Sequence, residues 1–332
     1  MRWVRVFAIV AALIVVLSAW SYAKVTVERI DYRGWADSYR LTAGLYSLVV
    51  VPEIGGRIME YSYDGTNLLW ENTEEYGRTY PISKDWRNYG GYKIWIAPQE
   101  LWSWPPDPMI DFAKANIEVL QNAKGLPVLK VTGAPAFDSG VAVSKEILMD
   151  ETGEVVLKQI MRNIAGKPIT CSIWDVTQTK TPGLIAFPLN ENSKFDDGIN
   201  YLMSESKNSK QFTVKNRLCI TRYMGENGKI AADSNGPWMI CFQGDLAFVK
   251  LFGSMVKNAD YPEGGCSVEV FTADDKLGYQ EMEILGPIAK ILPGGKTELV
   301  ERWRAFKLSQ PVTDEKWVLK AVSGMKGKGW IP

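Results

Sequence analysis

The sequence predicts an all-β protein of stacked antiparallel sheets with one short C-terminal helix. Roughly fifteen short β-branched or aromatic runs recur at regular spacing, turn residues separate them, and they do not alternate with helical patterns as βαβ units would.

Runs at 25–30, 40–42, 45–51, 57–63 and 67–70 open the pattern. Arg33 with Gly34, the segment 52–56, and Asp64 with Gly65 punctuate them; the last pair tolerates positive φ and signals a hairpin. The pattern resumes at 117–120, 127–132, 141–149 and 155–162, where the turn 150–153 makes the last two a hairpin. Further runs stand at 169–179, 212–214, 238–242, 246–252, 267–272, 279–285 and 296–306. Near the end, Thr313 can cap a helix, Asp314 and Glu315 suit its positive N-terminus, Lys320 its last turn and Gly324 its end.

Residues 1–23 have the form of a cleaved signal peptide. Arg2 and Arg5 precede a segment, 6–20, that is apolar apart from Ser18, and Ser21 and Ala23 supply small residues at the cleavage positions. The apolar run falls short of the roughly 20 residues a spanning helix needs. The expected product is one domain over 24–332, exported to the periplasm or beyond after cleavage near Ala23, with no transmembrane helix in the mature chain.

Composition narrows the chemistry. Lys plus Arg and Asp plus Glu number 38 each, so there is no basic field for nucleic acid and no polybasic membrane patch. The chain contains no histidine, which excludes Ser–His and Cys–His pairs and any histidine acid. Cys171, Cys219, Cys241 and Cys266 permit two disulfides in an oxidising compartment, or serve as small buried apolar residues. Their spacing matches no zinc pattern. Asp196 and Asp197 with Asn190, Glu191 and Asn192 offer oxygens without a recognised calcium spacing, so neither metal nor cofactor is expected.

The segment 76–109 differs from the rest. It holds Trp86, Trp95, Trp102 and Trp104 with Tyr80, Tyr89 and Tyr92, and Gly90, Gly91, Pro98, Pro105, Pro106 and Pro108 punctuate it. This predicts a long ordered loop rather than a strand pair. Indole and phenol faces fit the C–H faces of sugar rings, and Asp85, Asn88, Lys93 and Gln99 could bond hydroxyls. The alternative is a satellite hydrophobic cluster under a loop.

Further candidates lie on strands. In 279–283 the two-residue period puts Tyr279, Glu281 and Glu283 on one face and Gln280 and Met282 on the other. Two carboxylates about 6–7 Å apart repel, and burial would raise the pKa of at least one, which suits general acid–base work; a solvated face is the plain alternative. In 174–178, Trp174, Val176 and Gln178 share one face, and Asp175 and Thr177 the other. Arg57, after Gly55 and Gly56, could hold a hydroxyl or a carboxylate.

Taken together, VVPEIGGRIMEYSYDGTNLLWEN, NYGGYKIWIAPQELWSWPPDP, SIWDVTQTKTPG and YPEGGCSVEVFTADDKLGYQEMEILGPIAKILPGG resemble the mutarotase-like family known as DUF4380, over about residues 40 to 305. That family is in turn similar to galactose mutarotases and hexose-phosphate epimerases. The resemblance implies a β-supersandwich with a sugar site on a concave face, and a glutamate base shortly before a Pro-Gly turn. Glu283 or Glu281, ahead of Pro293 and Gly294, fits that base. The superfamily's histidine acid would fall within 174–178, after Asn163, Lys167 and Pro168, and here only Asp175 could stand in. Gly90-Gly91-Tyr92-Lys93 departs from the family's Gly-Gly-Asp-Lys.

The expected function is carbohydrate binding, of a mono- or oligosaccharide, by Arg57, Lys93, Trp95, Gln99, Trp102, Trp174, Gln178 and Tyr279. The alternatives are an epimerase or lyase using Glu281 or Glu283 without histidine, and an interaction module whose aromatic loop docks a protein.

Overall fold

The computed structural model describes residues 24–83 and 85–332. The expected leader at 1–23, with its cleavage point near Ala23, lies outside the described residues. Two antiparallel sheets carry the chain. The first, 12-stranded, runs in hydrogen-bonded order Thr26–Tyr32, Trp35–Ala43, Tyr46–Val51, Arg57–Tyr63, Tyr92–Ala97, Ile169–Lys180, Tyr279–Leu285, Val268–Thr272, Gly228–Ala232 and Asn200–Tyr201, with two short strands paired off this path. The second, 10-stranded, is centred on Trp238–Gln243, Leu246–Phe252, Lys296–Lys307 and Val155–Asn163.

The sheets stack because their facing residues alternate. Tyr92, Ile94, Ile96, Ile173, Met282 and Ile284 from the first sheet bury against Leu157, Met161, Phe248 and Trp303 of the second. The second sheet is also covered on its outside by the helix Glu315–Gly327, whose Val318, Val322 and Met325 recur at helical spacing against Trp238, Ile240 and Val249. Burial on both faces is why 238–242 reads as an unbroken apolar run and 246–252 as one interrupted only by Lys250. The turn at Asp64 and Gly65 takes positive φ at both positions, 47° and 73°, as the hairpin requires.

Three expectations are corrected. The segment 76–109 is not all loop: Tyr92–Ala97 is a strand in the middle of the first sheet, buried along its whole length. Its entry depends on Gly90 and Gly91 at φ 94° and 69°, where a Cβ would stand 2.4 Å from the Trp70 carbonyl oxygen and 2.3 Å from that of Ile58. The glycines thus bring the chain into the sheet, where the sequence suggested they kept it out. The C-terminal helix is capped by Asp314, which accepts from the Trp317 amide at 3.0 Å, not by Thr313, and it continues past Gly324. The four cysteines are buried and free, which agrees with their reading as small apolar residues. Among the described residues, no helix is long and apolar enough to cross a membrane.

Between the sheets lies a fully buried polar cluster. Lys250 Nζ donates to Asp175, bonds Thr177 Oγ1 at 2.8 Å and lies 3.3 Å from Glu301 Oε2. Gln159 Nε2 bridges Asp175 and Glu301 at 3.2 and 3.1 Å. Burial and the nearby Asp175 drive the Glu301 carboxyl well above the usual range, so one proton offsets the second carboxylate. Lys250→Met leaves Asp175 buried without its cation and should destabilise the fold by about 3–5 kcal/mol. Urea denaturation measures this; a loss under about 1 kcal/mol would mean the cluster rearranges around the missing ammonium.

Candidate functional site

The opposite, outer face of the first sheet collects most of the sequence-predicted site residues. Lys93 and Trp95 stand beside Val176 and Trp174 in the register of Tyr92–Ala97 with Ile169–Lys180. That strand in turn pairs Val176 with Glu283 and Gln178 with Glu281 on Tyr279–Leu285. One strand further on, Glu269 lies directly opposite Glu283. Because side chains repeat every second residue, all of these point to the same side.

The polar groups form a connected layer. Trp174 Nε1 donates to Glu283 Oε2 at 2.6 Å, and Gln178 Nε2 donates to Glu281 Oε1 at 2.9 Å. Lys93 Nζ reaches Glu281 Oε1 at 3.4 Å, while Lys229 Nζ lies 2.7 Å from Glu269 Oε2 and 3.3 Å from Glu283 Oε2. Each ammonium also lies over an indole: Lys93 is 4.6 Å from the Trp95 ring centroid and Lys229 is 4.5 Å from that of Trp174. Tyr279 packs its ring 4.8 Å from that of Trp70.

Indoles roof this layer. Trp174 and Trp95 pack edge to face at 5.3 Å; Trp102 lies 6.4 Å from Trp174 and 6.0 Å from Trp95. Trp104 joins Trp95 at 6.0 Å and Trp86 at 5.0 Å. The cluster therefore runs without a break from Trp104, 54% exposed, to buried Trp174. Outside it, Asp85, Trp86, Arg87, Trp104 and Pro105 line an open groove of about 440 Å³.

Burial governs the electrostatics. It pushes the Glu283 carboxyl up to about 8, with Glu269 adding repulsion and Lys229 and the Trp174 N–H opposing. Glu281 is also raised by burial, against the pull of Lys93. Burial lowers the Lys93 ammonium, whereas for Lys229 the two carboxylates Glu269 and Glu283 overcome burial and hold it above the ordinary lysine range.

Three predicted residues are placed otherwise. Asp175 points away from the glutamates into the space between the sheets, where Lys250 holds it, so it cannot serve as their acid. Arg57 is buried and spends its guanidinium on Asp111, at 2.9 Å, and on the carbonyls of Asp111 and Gly90. Asp111 in turn accepts from Trp95 Nε1 at 2.8 Å, so Arg57 positions the indole layer and is not free to bind a ligand. Gln99 lies half-buried in the turn Gln99–Leu101 that follows the strand. Sequence reasoning missed Glu269, Lys229, Asp111 and Trp70. Only Glu269 carried a signal, as a lone acid between Val268 and Val270 in an apolar strand. Among the described residues, no group of three or more acids or cysteines is arranged to hold a metal.

Two stacked antiparallel sheets with a lone C-terminal helix place the chain in the galactose mutarotase-like fold class. A candidate aldose 1-epimerase from Klebsiella pneumoniae has a similar structure, with TM-score 0.57 and 11% identity over 91% of this chain and 87% of that one. Galactose mutarotase-like proteins from Clostridium acetobutylicum (TM-score 0.51, 11% identity, 86% and 99% covered) and Lactobacillus casei (0.52, 8%, 80% and 99%) are similar too. At such identities the likeness is one of fold. Residues 37–306 match the model of the domain of unknown function DUF4380, and the chain belongs to that family. No curated protein matches it.

Between an ordinary glutamate value of 4.5 and about 8, the folded chain keeps a proton on Glu283 that the unfolded chain has released. Stability should therefore fall as pH rises through that window, by up to about 1.4 kcal/mol per pH unit, and level off above it. Glu283→Gln removes this component. Urea denaturation at several pH values should give a shallower slope for the variant; equal slopes would mean that Glu283 is ionised in the native protein.

Proposed function

We propose that the protein binds a carbohydrate on the outer face of the first sheet. The observation that carries this reading is the tryptophan cluster, which runs from the open groove down to a layer of carboxylates and ammoniums. A sugar ring offers C–H faces to indoles and hydroxyls to charged groups, and this face supplies both within one cluster. Lys229 and Glu281, with 19% and 10% of their side chains exposed, stand nearest solvent among these paired groups, so they are the ones a ligand meets first. The mutarotase-like and aldose 1-epimerase descriptions of proteins with this fold support a sugar as the ligand class. A protein-docking patch would spread several tryptophans flat on the surface, whereas Trp95 and Trp174 are buried and Trp104 is the exposed end of a packed column.

A second reading, sugar isomerisation, rests on the contact between Glu281 and Lys93. Lys93, its ammonium lowered by burial, could donate where Glu281 accepts. Glu283, fully buried and held by Trp174, is the less accessible of the two glutamates. In both readings the chain is an exported single domain over 24–332, which N-terminal sequencing of the mature protein tests.

Titration calorimetry against a panel of mono- and oligosaccharides should find a binder. Trp104→Ala should weaken it roughly tenfold, consistent with loss of a stacking partner. Trp317→Ala, on the distant C-terminal helix, should leave it unchanged. Silence across the panel would overturn the binding reading. NMR of anomer exchange, comparing the native chain with Glu281→Gln, decides the second: equal rates in both would exclude Glu281 as the base.

A further inference from the structure

The helix Glu315–Gly327 leaves a cavity of about 170 Å³ on the outer side of the second sheet, the opposite side of the molecule from the tryptophan cluster. Leu308 and Val312 line it from the chain leading into the helix, Trp317, Ala321 and Gly324 from the helix itself, and Trp330 from the segment beyond. Both flanks are pinned. The Leu308 and Val312 amides donate to the carbonyls of Asp245 and Gly244 at 2.7 and 2.8 Å. The Trp330 amide donates to the Met325 carbonyl at 3.0 Å, and its indole stacks on Phe306 at 4.2 Å. The walls therefore stand in place before anything enters, which lowers the ordering cost of binding.

Size and lining set the body of a ligand. An apolar cavity of about 150 Å³ holds one benzene molecule. This one takes a single aromatic ring with a small substituent. Gly324 keeps that room open. Glycine weakens a helix relative to alanine, and a Cβ at Gly324 would have no neighbour within 4 Å, so packing does not require the glycine. A larger side chain there would occupy the cavity that Gly324 lines.

Charge sets the head. From Lys316 to Pro332 the chain carries four lysines and no acid. Lys320 and Lys328 line the cavity, and their ammoniums lie 4.4 Å from the Trp317 ring centroid and 4.3 Å from that of Trp330. The flanking acids are engaged elsewhere. Asp245 pairs with Lys307 at 2.9 Å and Glu315 with Arg222 at 3.2 Å, Asp314 caps the helix, and beyond Trp330 Glu154 holds Arg302 and Arg304. Among the described residues no acid lines the cavity.

From this we propose that the cavity is a second binding site, for a small aromatic acid of one ring or one indole. The ring packs on the indoles over Ala321 and Gly324, and its carboxylate accepts from Lys320 or Lys328. The apolar walls disfavour a sugar, and the two lysines disfavour a cationic ligand. This site does not depend on the carbohydrate reading.

Calorimetry on the native chain tests the proposal with benzoate, phenylacetate and indole-3-acetate, beside benzyl alcohol, benzylamine and hexanoate. At least one aromatic acid should bind with a dissociation constant on the order of 0.1–1 mM, the range open to a ligand of about ten heavy atoms, and about tenfold tighter than the neutral alcohol. Added salt should weaken the acid and spare the alcohol, because Lys320 and Lys328 are exposed. Gly324→Leu, which suits a helix better than glycine, should abolish binding. Lys320→Met combined with Lys328→Met should erase the preference for the acid, and Trp104→Ala should change nothing. Benzyl alcohol, benzylamine or hexanoate binding as tightly as the best acid, an acid bound equally by Gly324→Leu, or silence from every probe would each overturn the proposal. A dimer that Gly324→Leu dissociates, with no acid bound by the native chain, would put a second copy in the cavity and overturn it too.

Discussion

The structure depends on one strand, Ile169–Lys180, being buried on both faces. Ordinary sheets in a sandwich bury one face and wet the other, and their strands alternate apolar with polar. This strand alternates too, but between two dry environments. Asp175 and Thr177 face the space between the sheets, while Trp174, Val176 and Gln178 face the indole-roofed layer. Every polar group on it must find a partner inside the protein, and the partners it finds organise both sides. Inward, Lys250, Glu301 and Gln159 complete a cluster that ties the two sheets together. Outward, Glu283 and Glu281 accept from Trp174 and Gln178 and are thereby fixed in the candidate site.

The absence of histidine acquires meaning on this strand. Residues 174–178, where the family resemblance would put a histidine acid, are instead residues that donate or accept within the sheet. Asp175, the one substitute the sequence offered, is locked to Lys250 on the wrong face. Ammoniums are what stand beside the glutamates instead: Lys93 and Lys229 each reach a carboxylate and lie over an indole. With a proton held on Glu283, the carboxylates of Glu269 and Glu281 face the ammoniums of Lys93 and Lys229, so the layer is a buried, internally paired charged face.

Much of the fold was legible because alternation and turn chemistry are local properties. Pro127–Thr132, Val141–Met149, Leu246–Phe252 and Tyr279–Leu285 have the boundaries their sequences suggest. Gly228–Ala232 and Leu218–Arg222 were not legible: the first is rich in small residues, and both are strands mainly because neighbours pair with them. Tyr92–Ala97 misled because its glycines and flanking prolines resemble loop punctuation, and only the close approach to Trp70 and Ile58 shows what the glycines are for. On the site, the shared face of Tyr279, Glu281 and Glu283 and of Trp174 with Gln178 followed from the two-residue period. That these faces meet did not, because register between distant strands is a tertiary property. The same limit hid Glu269 and Lys229, and it let Arg57 pass for a ligand-binding group when its partner, Asp111, lies 54 residues away.

Hydrogen–deuterium exchange with and without a bound sugar tests the central claim most directly, since it reports where the ligand sits without presuming its chemistry. Saturating sugar should slow exchange in the 85–104 segment, in Tyr279–Leu285 and around Lys229, and leave the helix Glu315–Gly327 unchanged. Protection confined to that helix or to the second sheet would contradict a carbohydrate site beneath the tryptophan cluster.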